Sequence, residues 1–308
     1  MTKGLLIYNP KSGDQSIPSR LDYIIQRFQA YDICLTPYRM FQNECTGEDI
    51  LALIHSQQYD FILLFGGDGS LNFMVNLILK NGINLPLGVF PGGTCNDFAR
   101  NIGMPCDLEP WTDMVLAGNT RHVDAGCIND HHYFMGNLGG GIFANVSFNT
   151  KTDLKKNLGP VAYYLKALDQ LQKIEVFNLT VDIEDNHLEE KVILFLVLNG
   201  KNVAGFSNFF KDADIEDGLI DILLFRNARP MELAGVFMKM MANELAGDKH
   251  IIHLRAREAR IQSDKQLQIS VDGEKGTVLP IKVQCIHPGI KMFTPFVAKT
   301  RLQGGCFG

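Results

Sequence analysis

A single carboxylate stands inside a glycine turn, Gly66-Gly67-Asp68-Gly69-Ser70, directly after the apolar run 61–65. A short, wholly apolar run is typical of a buried parallel strand, which delivers a ligand-binding loop to the edge of its sheet. Glycines let backbone N–H groups approach an anion closely. Because Asp68 would repel a bare phosphate, a cation is expected between the two. The turn therefore predicts a nucleotide site with a divalent metal ion.

Two further strand candidates end in loops of similar composition, at residues 9–13 and 91–97. The carboxyl ends of the strands in an open α/β sheet share one edge, so the three loops should converge. Any one of them could be an ordinary turn of Gly, Pro and Asn. Three such loops at strand ends of one domain favour a shared site.

Two acidic segments lie in the second half of the chain, at 212–218 and 272–274. The spacing of the first is wrong for an EF-hand, and an acidic turn before a strand is its plain interpretation. For Asp272-Gly273-Glu274, composition alone favours a β-turn with solvated charges.

The elements that must position these loops change character near residue 125. Before that point, strand candidates at 5–8, 33–38, 61–65 and 86–90 alternate with helical spacing, which predicts an open, mainly parallel sheet with helices on both faces. After it, strand candidates follow at 175–183, 190–199, 218–226, 250–256, 260–272 and 281–286. Two helices, beginning at Pro160 and Pro230, interrupt them. This half predicts a second, mostly antiparallel β domain.

Bulk properties exclude several classes of protein. The 308 residues carry 29 basic and 34 acidic side chains, and a net charge of −5 argues against bulk nucleic-acid binding. The 7 cysteines include no Cys-x-x-Cys pair, which favours a reducing compartment over a disulfide framework or zinc site. No signal peptide or run of about 20 apolar residues is present, so we expect a soluble, cytoplasmic protein. The 8 histidines offer no ligand spacing, and none is assigned a function.

Five segments resemble, in order along the chain, the catalytic domain of the short soluble bacterial diacylglycerol kinases. They are Asn9-Pro10-Lys11-Ser12-Gly13, Gly66-Gly67-Asp68-Gly69-Ser70, Pro91-Gly92-Gly93-Thr94-Cys95-Asn96-Asp97-Phe98-Ala99-Arg100, Asp217-Gly218-Leu219-Ile220-Asp221 and Asp272-Gly273-Glu274. The resemblance spans roughly residues 3–296, and five motifs in order are specific where one could be chance. At Ser70 the family usually has threonine, but the hydroxyl is retained.

The resemblance implies a two-domain fold with ATP in the cleft between the domains. Residues 1–125, joined by about 287–297, would form the nucleotide-binding domain, 126–286 the lipid domain and 298–308 a loose tail. It also implies Mg²⁺-dependent transfer of the ATP γ-phosphoryl group to the hydroxyl of diacylglycerol, which gives phosphatidic acid.

Individual roles follow from the same resemblance. The residues that would contact the nucleotide are Asn9, Ser12, Gly66, Gly67, Gly69, Ser70, Gly92, Gly93 and Thr94. Asp68, Asp97 and Asp124 would hold Mg²⁺ directly or through water, which this ion keeps readily. A second, structural metal would lie at Asp214, Asp217 and the carbonyl of Leu219. Asp272 would be the general base, with Glu274 as its substitute or as a group that positions a metal; Asp68 also belongs to the catalytic set.

The lipid must come from a membrane, so we expect transient contact with the anionic inner face of the membrane. The densest basic group, Lys151, Lys155, Lys156 and Lys166, is the candidate patch, although most such runs are merely solvated faces. A homodimer through the apolar faces of the second domain is a further expectation.

Several alternatives stay open at this point. Asp97 could simply complement the positive end of a helix, and Asp124 could belong to a strand-end turn. The acceptor could be sphingosine, another glycerolipid or NAD, and a non-catalytic nucleotide or lipid sensor is a rival of a different class. Gly139-Gly140-Gly141-Ile142-Phe143-Ala144 matches a dinucleotide fingerprint, but no apolar strand precedes it. A glycine-rich bend is the better interpretation there, and a nicotinamide oxidoreductase is the weakest candidate.

Overall fold

The computed structural model describes residues 1–13, 15–40, 47–142, 175–202, 210, 213–241, 244 and 247–296. The helix predicted to begin at Pro160 and the four lysines of the candidate membrane patch lie outside the described residues.

The first part of the chain is an α/β unit. Its strands are β1 (Thr2–Tyr8), β2 (Ile33–Arg39), β3 (Phe61–Gly66) and β4 (Leu87–Pro91), and its helices are α1 (Ile17–Gln29), α2 (Gly47–Ser56), α3 (Asp68–Lys80), α4 (Asp97–Asn101) and α5 (Leu108–Leu116). The strands lie in the order β4-β3-β1-β2, and every pair is parallel. The alternation predicted from the sequence is therefore confirmed.

Strand β3 lies at the centre of this unit, and all its residues are buried. Two of its aromatic side chains pack against neighbouring elements. Phe28 of α1 packs against Phe61, and Trp111 of α5 meets Phe65 edge-on at 4.9 Å between ring centroids. A strand covered in this way has no polar face, which explains its continuous apolar sequence.

The second part of the chain is mostly antiparallel. Its strands are β5 (Thr120–Ile128), β6 (His132–Phe134), β7 (Asn137–Gly141), β8 (Phe177–Ile183), β9 (Asn186–Leu198), β10 (Ile220–Arg226), β11 (Ile251–Ala256), β12 (Glu258–Ser263), β13 (Gln268–Val271), β14 (Glu274–Val278) and β15 (Ile281–Phe293). Helix α6 (Pro230–Met241) begins at the proline as predicted, and buries Leu233 and Val236. Within the described residues, no helix is both long and apolar enough to cross a membrane.

Strand β15 joins the two parts into one sheet. It pairs antiparallel with β12 and β5 and then parallel with β4, where Met292 lies opposite Leu87. Ile290, Met292 and Phe293 are buried in the core of the α/β unit, and Phe293 meets Phe61 edge-on at 5.7 Å between ring centroids. The end of the described chain thus returns to the first core.

Two local predictions were wrong. The single strand expected at 260–272 is two strands, β12 and β13, because the chain turns at Asp264, whose carboxylate accepts hydrogen bonds from the backbone and side chain of Asn178. The bend expected at 139–141 is instead part of strand β7. A Cβ on Gly139 would lie 2.7 Å from the carbonyl oxygen of Phe195, so glycine is what lets β7 lie against β9.

Candidate active site

The loops that follow β1, β3 and β4 meet at one edge of the parallel sheet. The N–H of Asn9 donates to the carbonyl of Phe65 at 2.9 Å, and the N–H of Gly92 donates to that of Gly66 at 3.0 Å. A Cβ on Gly67 would lie 2.9 Å from Cα of Gly93, closer than side chains pack. The predicted convergence of the three loops is confirmed, and its tightness explains the glycines.

Asn9 ties the first loop to the start of helix α3. Its Nδ2 donates to Oγ of the buried Ser70 at 3.1 Å, and its Oδ1 accepts the N–H of Lys11 at 3.0 Å. Its carbonyl accepts the N–H of Ser12 at 3.2 Å. Asn9, Ser12 and Ser70 are therefore brought together as predicted, with Asn9 organising the loop from within.

Asp68 opens helix α3 and reaches across to helix α4. Its Oδ2 accepts the N–H of Asn96 at 2.9 Å, and the N–H groups of Asp97 and Phe98 also stabilise its ionised form. Burial and the negative charge of Asp272 nevertheless raise the pKa of Asp68 above its ordinary value. A cation beside this carboxylate would relieve both effects, so the residues present fit Mg²⁺ at this position.

Asn96, which the sequence interpretation did not single out, shapes the third loop. It has a left-handed backbone with a φ of 51°. Its Oδ1 accepts the N–H of Gly93 at 2.8 Å, and its Nδ2 donates to the carbonyl of Gly93 at 2.9 Å. Thr94, predicted to contact phosphate, is exposed in the loop that Asn96 closes. An asparagine between a glycine loop and a helix was the available signal, because Asn tolerates positive φ.

Asp272 and Gly273 form a two-residue hairpin turn between β13 and β14. Val271 pairs with Glu274, and φ is 47° at Asp272 and 83° at Gly273, the pattern of a type I′ turn. The turn expected from composition is therefore present. The N–H of Asp272 donates to the carbonyl of Asn137 at 2.8 Å, which attaches the turn to strand β7.

The carboxylate of Asp272 is saturated with hydrogen bonds. Oδ1 accepts the N–H groups of Gly136 and Asn137, and Oδ2 accepts the N–H of Met135 and Nδ2 of Asn72, at distances from 2.8 to 2.9 Å. A carboxylate has about four lone-pair sites, so these four donors engage the hydrogen-bonding capacity of Asp272.

Glu274 has the opposite character. It is exposed, and its side chain accepts no hydrogen bond from the part of the chain that the structure describes. A Cβ on Gly69 would lie 3.4 Å from Oε1 of Glu274, so this carboxylate lies beside the first turn of α3. The hairpin thus brings an exposed carboxylate to the glycine loop.

Asn72 and Asn76 on helix α3 are further residues that the sequence interpretation missed. Asn76 pairs with both backbone groups of Tyr133 in β6, accepting its N–H at 3.0 Å and donating to its carbonyl at 2.8 Å. Asn72 donates to Asp272. Two amides four residues apart on a helix were the signal, because residues at this spacing share one face.

Asp124 is buried and has its own hydrogen-bond partners. Its side chain is 1% exposed; Oδ2 accepts the N–H of Gly218 at 2.8 Å, and Oδ1 lies 2.6 Å from Nδ1 of His287. Asp97 begins helix α4 and is half-buried. Within the described ranges, no three His, Cys, Asp or Glu side chains are grouped so as to hold a metal ion. A link from Asp97 or Asp124 to Mg²⁺ through water stays a prediction.

Hydrogen bonds and an ion pair hold two carboxylates of the acidic loop 214–219. Asp214 accepts the N–H of Glu216 at 3.1 Å, and Asp217 accepts the N–H of Leu219 at 2.9 Å. Asp217 also forms an ion pair with Arg255. The second oxygen of Asp214 has no hydrogen bond within the described residues, so a structural metal at Asp214, Asp217 and the carbonyl of Leu219 stays a prediction.

Comparisons with known proteins cover both parts of the chain. The family described as the diacylglycerol kinase catalytic domain matches residues 3–128, and the family described as the YegS C-terminal NAD kinase beta sandwich-like domain matches residues 137–294. The chain is 30% identical to a protein of Bacillus subtilis (strain 168) named diacylglycerol kinase, over 96% of this chain and 97% of that protein.

Two further proteins give the same picture. A diacylglycerol kinase of Staphylococcus epidermidis is 31% identical over 94% of this chain and 91% of its own. A crystal structure of a diacylglycerol kinase from Bacillus anthracis str. Sterne has a TM-score of 0.78 at 24% identity, covering 95% of this chain and 96% of that one, and shows that the fold is shared.

Proposed function

The chain belongs to the bacterial diacylglycerol kinase family of lipid kinases, and on that premise we propose that it transfers the γ-phosphoryl group of ATP to the hydroxyl of diacylglycerol. The product would be phosphatidic acid. One observation carries the proposal: the exposed carboxylate of Glu274 lies beside Gly69, at the edge of the sheet where the three glycine loops meet. Phosphoryl transfer needs a phosphate site next to a proton acceptor, and this arrangement supplies both.

The glycine loops are proposed to bind the nucleotide. Gly66 and Gly67 precede helix α3, and Gly69 lies in its first turn. Their backbone N–H groups would bind phosphate at the N-terminal end of the helix, which favours an anion. Gly92, Gly93 and the exposed hydroxyl of Thr94 would complete the phosphate contacts from the β4 loop. Asn9, Ser12 and Ser70 would hold the first loop against them, as their hydrogen bonds suggest.

Asp68 is proposed to hold Mg²⁺ together with water and the phosphates of ATP. An ion bound through few protein ligands is usual for Mg²⁺ at kinase sites. The ion would neutralise charge on the phosphate oxygens. Asp97, at the start of α4, follows Asn96, whose N–H donates to Asp68, and is proposed to contact the ion through water. The buried hydrogen bonds of Asp124 favour a structural role for that residue.

Glu274 is proposed as the general base, and Asp272 as the residue that anchors it. A base must have a free lone pair within reach of the proton that it removes. Asp272 would have to lose one of its hydrogen bonds to act, whereas Glu274 has none to lose among the described residues. The resemblance suggested Asp272 as the base and Glu274 as its substitute, and this proposal makes Glu274 the base.

The acceptor is proposed to be presented by an anionic membrane surface. Diacylglycerol resides in the bilayer, and ATP is available on its cytoplasmic side, so the enzyme would act there. The lysines considered for this contact lie outside the described residues.

The proposal is tested by following labelled γ-phosphate from ATP and Mg²⁺ into diacylglycerol, sphingosine and NAD. Label in phosphatidic acid alone is expected. NAD is the second candidate, because the model that matches residues 137–294 describes an NAD kinase-like domain. Label only in NAD or sphingosine would move the acceptor and overturn the proposed function.

A further inference from the structure

Helix α3 carries two asparagine side chains that reach out of the α/β unit. Asn72 and Asn76 are one turn apart and partly buried, on the side of the helix that faces β6. Asn76 pairs with the N–H and the carbonyl of Tyr133, as a neighbouring strand would. It also donates to Oδ1 of Asn72 at 3.1 Å, which orients the Asn72 amide so that its nitrogen points away.

The amide nitrogen of Asn72 points at Asp272. Nδ2 donates to Oδ2 at 2.8 Å, and Asn72 is the one side chain within the described ranges that donates to this carboxylate. The other donors are three consecutive backbone N–H groups, those of Met135, Gly136 and Asn137. Asp272 is therefore held from two sides, by the β6–β7 connection and by helix α3.

Glu274 lies close to this contact along the chain. Only Gly273 separates Glu274 from Asp272, and the turn between them is fixed in a left-handed backbone. Helix α3 begins at Asp68, within the glycine loop, and Asn72 is one turn further on. The contact between Asn72 and Asp272 thus fixes a short path from the phosphate loop to the proposed base.

We infer that Asn72 is a positioning residue, whose amide sets the separation between the glycine loop and Glu274 by holding Asp272. The inference rests on the proposed function, because that reaction places ATP at the loop and the base on the hairpin. A displacement of about 1 Å between reacting groups can lower a rate by about 10²-fold. Asn72 would therefore influence turnover rather than ATP affinity, although it touches neither substrate.

Three variants on one helix test this inference. Asn72→Ala removes the donor, and Asn72→Asp keeps the shape but places a second negative charge against Asp272. Asn81→Ala is the matched control, because Asn81 caps the C-terminal end of α3 and its side chain donates to the carbonyl of Leu77. The measurements are kcat, KM for ATP, thermal unfolding, and hydrogen exchange of the Met135, Gly136 and Asn137 amides.

We expect Asn72→Ala to lower kcat by about 10-fold to 10²-fold with KM for ATP within about 3-fold of the parent. Asn72→Asp should be slower still, because the added carboxylate replaces the hydrogen bond to Asp272 by repulsion. Asn81→Ala should keep the parent kcat. A parent-like kcat in both Asn72 variants, or a change in KM for ATP alone, overturns the inference.

Hydrogen exchange separates this result from the proposed function. Loosening of Asp272 should speed exchange of the three amides by about 10-fold or more in Asn72→Ala and leave them unchanged in Asn81→Ala. This measurement needs no acceptor. If the parent protein phosphorylates no diacylglycerol, the proposed function fails, while exchange still decides whether Asn72 holds the hairpin. Unchanged exchange in Asn72→Ala overturns the inference even if the parent is active.

Discussion

The side chain of Asn72 donates a 2.8 Å hydrogen bond to Oδ2 of Asp272 and so links helix α3 to the hairpin turn between β13 and β14. Asn72 follows the glycine loop, and Asp272 precedes Glu274, so one contact connects the proposed phosphate site to the proposed base. Preorganised groups of this kind lower the activation barrier of the reaction, because they need not be reoriented as it proceeds.

Glu274→Gln should abolish most of the turnover and leave the fold intact. Glu274 is exposed and accepts no hydrogen bond within the described residues, so its amide isostere removes only the proton acceptor. A general base contributes about 10²-fold to 10⁴-fold, and we expect a loss of kcat in that range. The measurement is kcat with diacylglycerol vesicles, alongside thermal unfolding. Near-parental turnover would return the base to Asp272.

Asp272→Asn should reduce stability as well as turnover. Each carboxylate oxygen of Asp272 accepts two hydrogen bonds, and the amide of Asn has only one oxygen. Two of the four donors, which are three backbone N–H groups and the Asn72 amide, therefore lose their acceptor. An unsatisfied donor costs about 1–3 kcal/mol, and we expect the free energy of unfolding to fall by about that amount. Urea unfolding with an unchanged m-value measures it. A variant as stable as the parent that has lost only kcat would speak for Asp272 as the base.

The positions of the phosphate loops were predictable because each follows a strong strand signal. The apolar run before Gly66 and the turn residues after β1 and β4 determine both the element and its end. The hairpin at Asp272 was also visible, since Asp-Gly is a favoured two-residue turn.

The partners of Asp124 and Asp272 were beyond the sequence, because they depend on register across the sheet. The strand β5 that carries Asp124 pairs with β15, and its carboxylate meets His287 and the Gly218 N–H, partners that the sequence does not indicate. Asn72 meets Asp272 through contacts that span 200 positions. Local patterns carry no information on which distant amide will donate a hydrogen bond to a given carboxylate.

Asp68→Asn should stabilise the free protein near pH 7 while removing activity. The pKa of Asp68 is raised by burial and by the charge of Asp272, so the folded state favours the protonated form. Stability contributed by this group therefore falls as pH rises from its unfolded pKa, about 3.9, through the raised folded pKa. Asn lacks the charge and should melt higher at pH 7, with the difference shrinking toward pH 4.

The same variant tests the proposed metal position. Mg²⁺ with ATP should raise the unfolding temperature of the parent by mass action, and much less that of Asp68→Asn. We expect kcat to fall by about 10²-fold to 10³-fold. An equal thermal shift in both proteins would place the ion elsewhere.

Asp124→Asn should affect stability more than nucleotide binding. The carboxylate is 1% exposed, lies 2.6 Å from Nδ1 of His287, and accepts the N–H of Gly218. Weakening these contacts should lower the free energy of unfolding by about 1–3 kcal/mol. Asp182→Asn is the matched control, because Asp182 also pairs with a histidine, His187, but at the surface, where about 0.5 kcal/mol or less is expected. A large loss of Mg²⁺ affinity at unchanged stability would support the water-mediated metal role instead.

Gly67→Ala should separate two of the nucleotide loops. An added Cβ would lie 2.9 Å from Cα of Gly93, a backbone atom that cannot move unless its loop moves. We expect ATP affinity to fall by about 10-fold and the free energy of unfolding to fall by about 1–3 kcal/mol, as for other overpacked sites. Gly235→Ala is the control: its Cβ would meet nothing within 4 Å, and alanine in a helix should add about 0.5–1 kcal/mol. Calorimetric ATP binding to both variants measures the difference. If Gly67→Ala binds ATP like Gly235→Ala, the close approach of the loops is not what forms the nucleotide site.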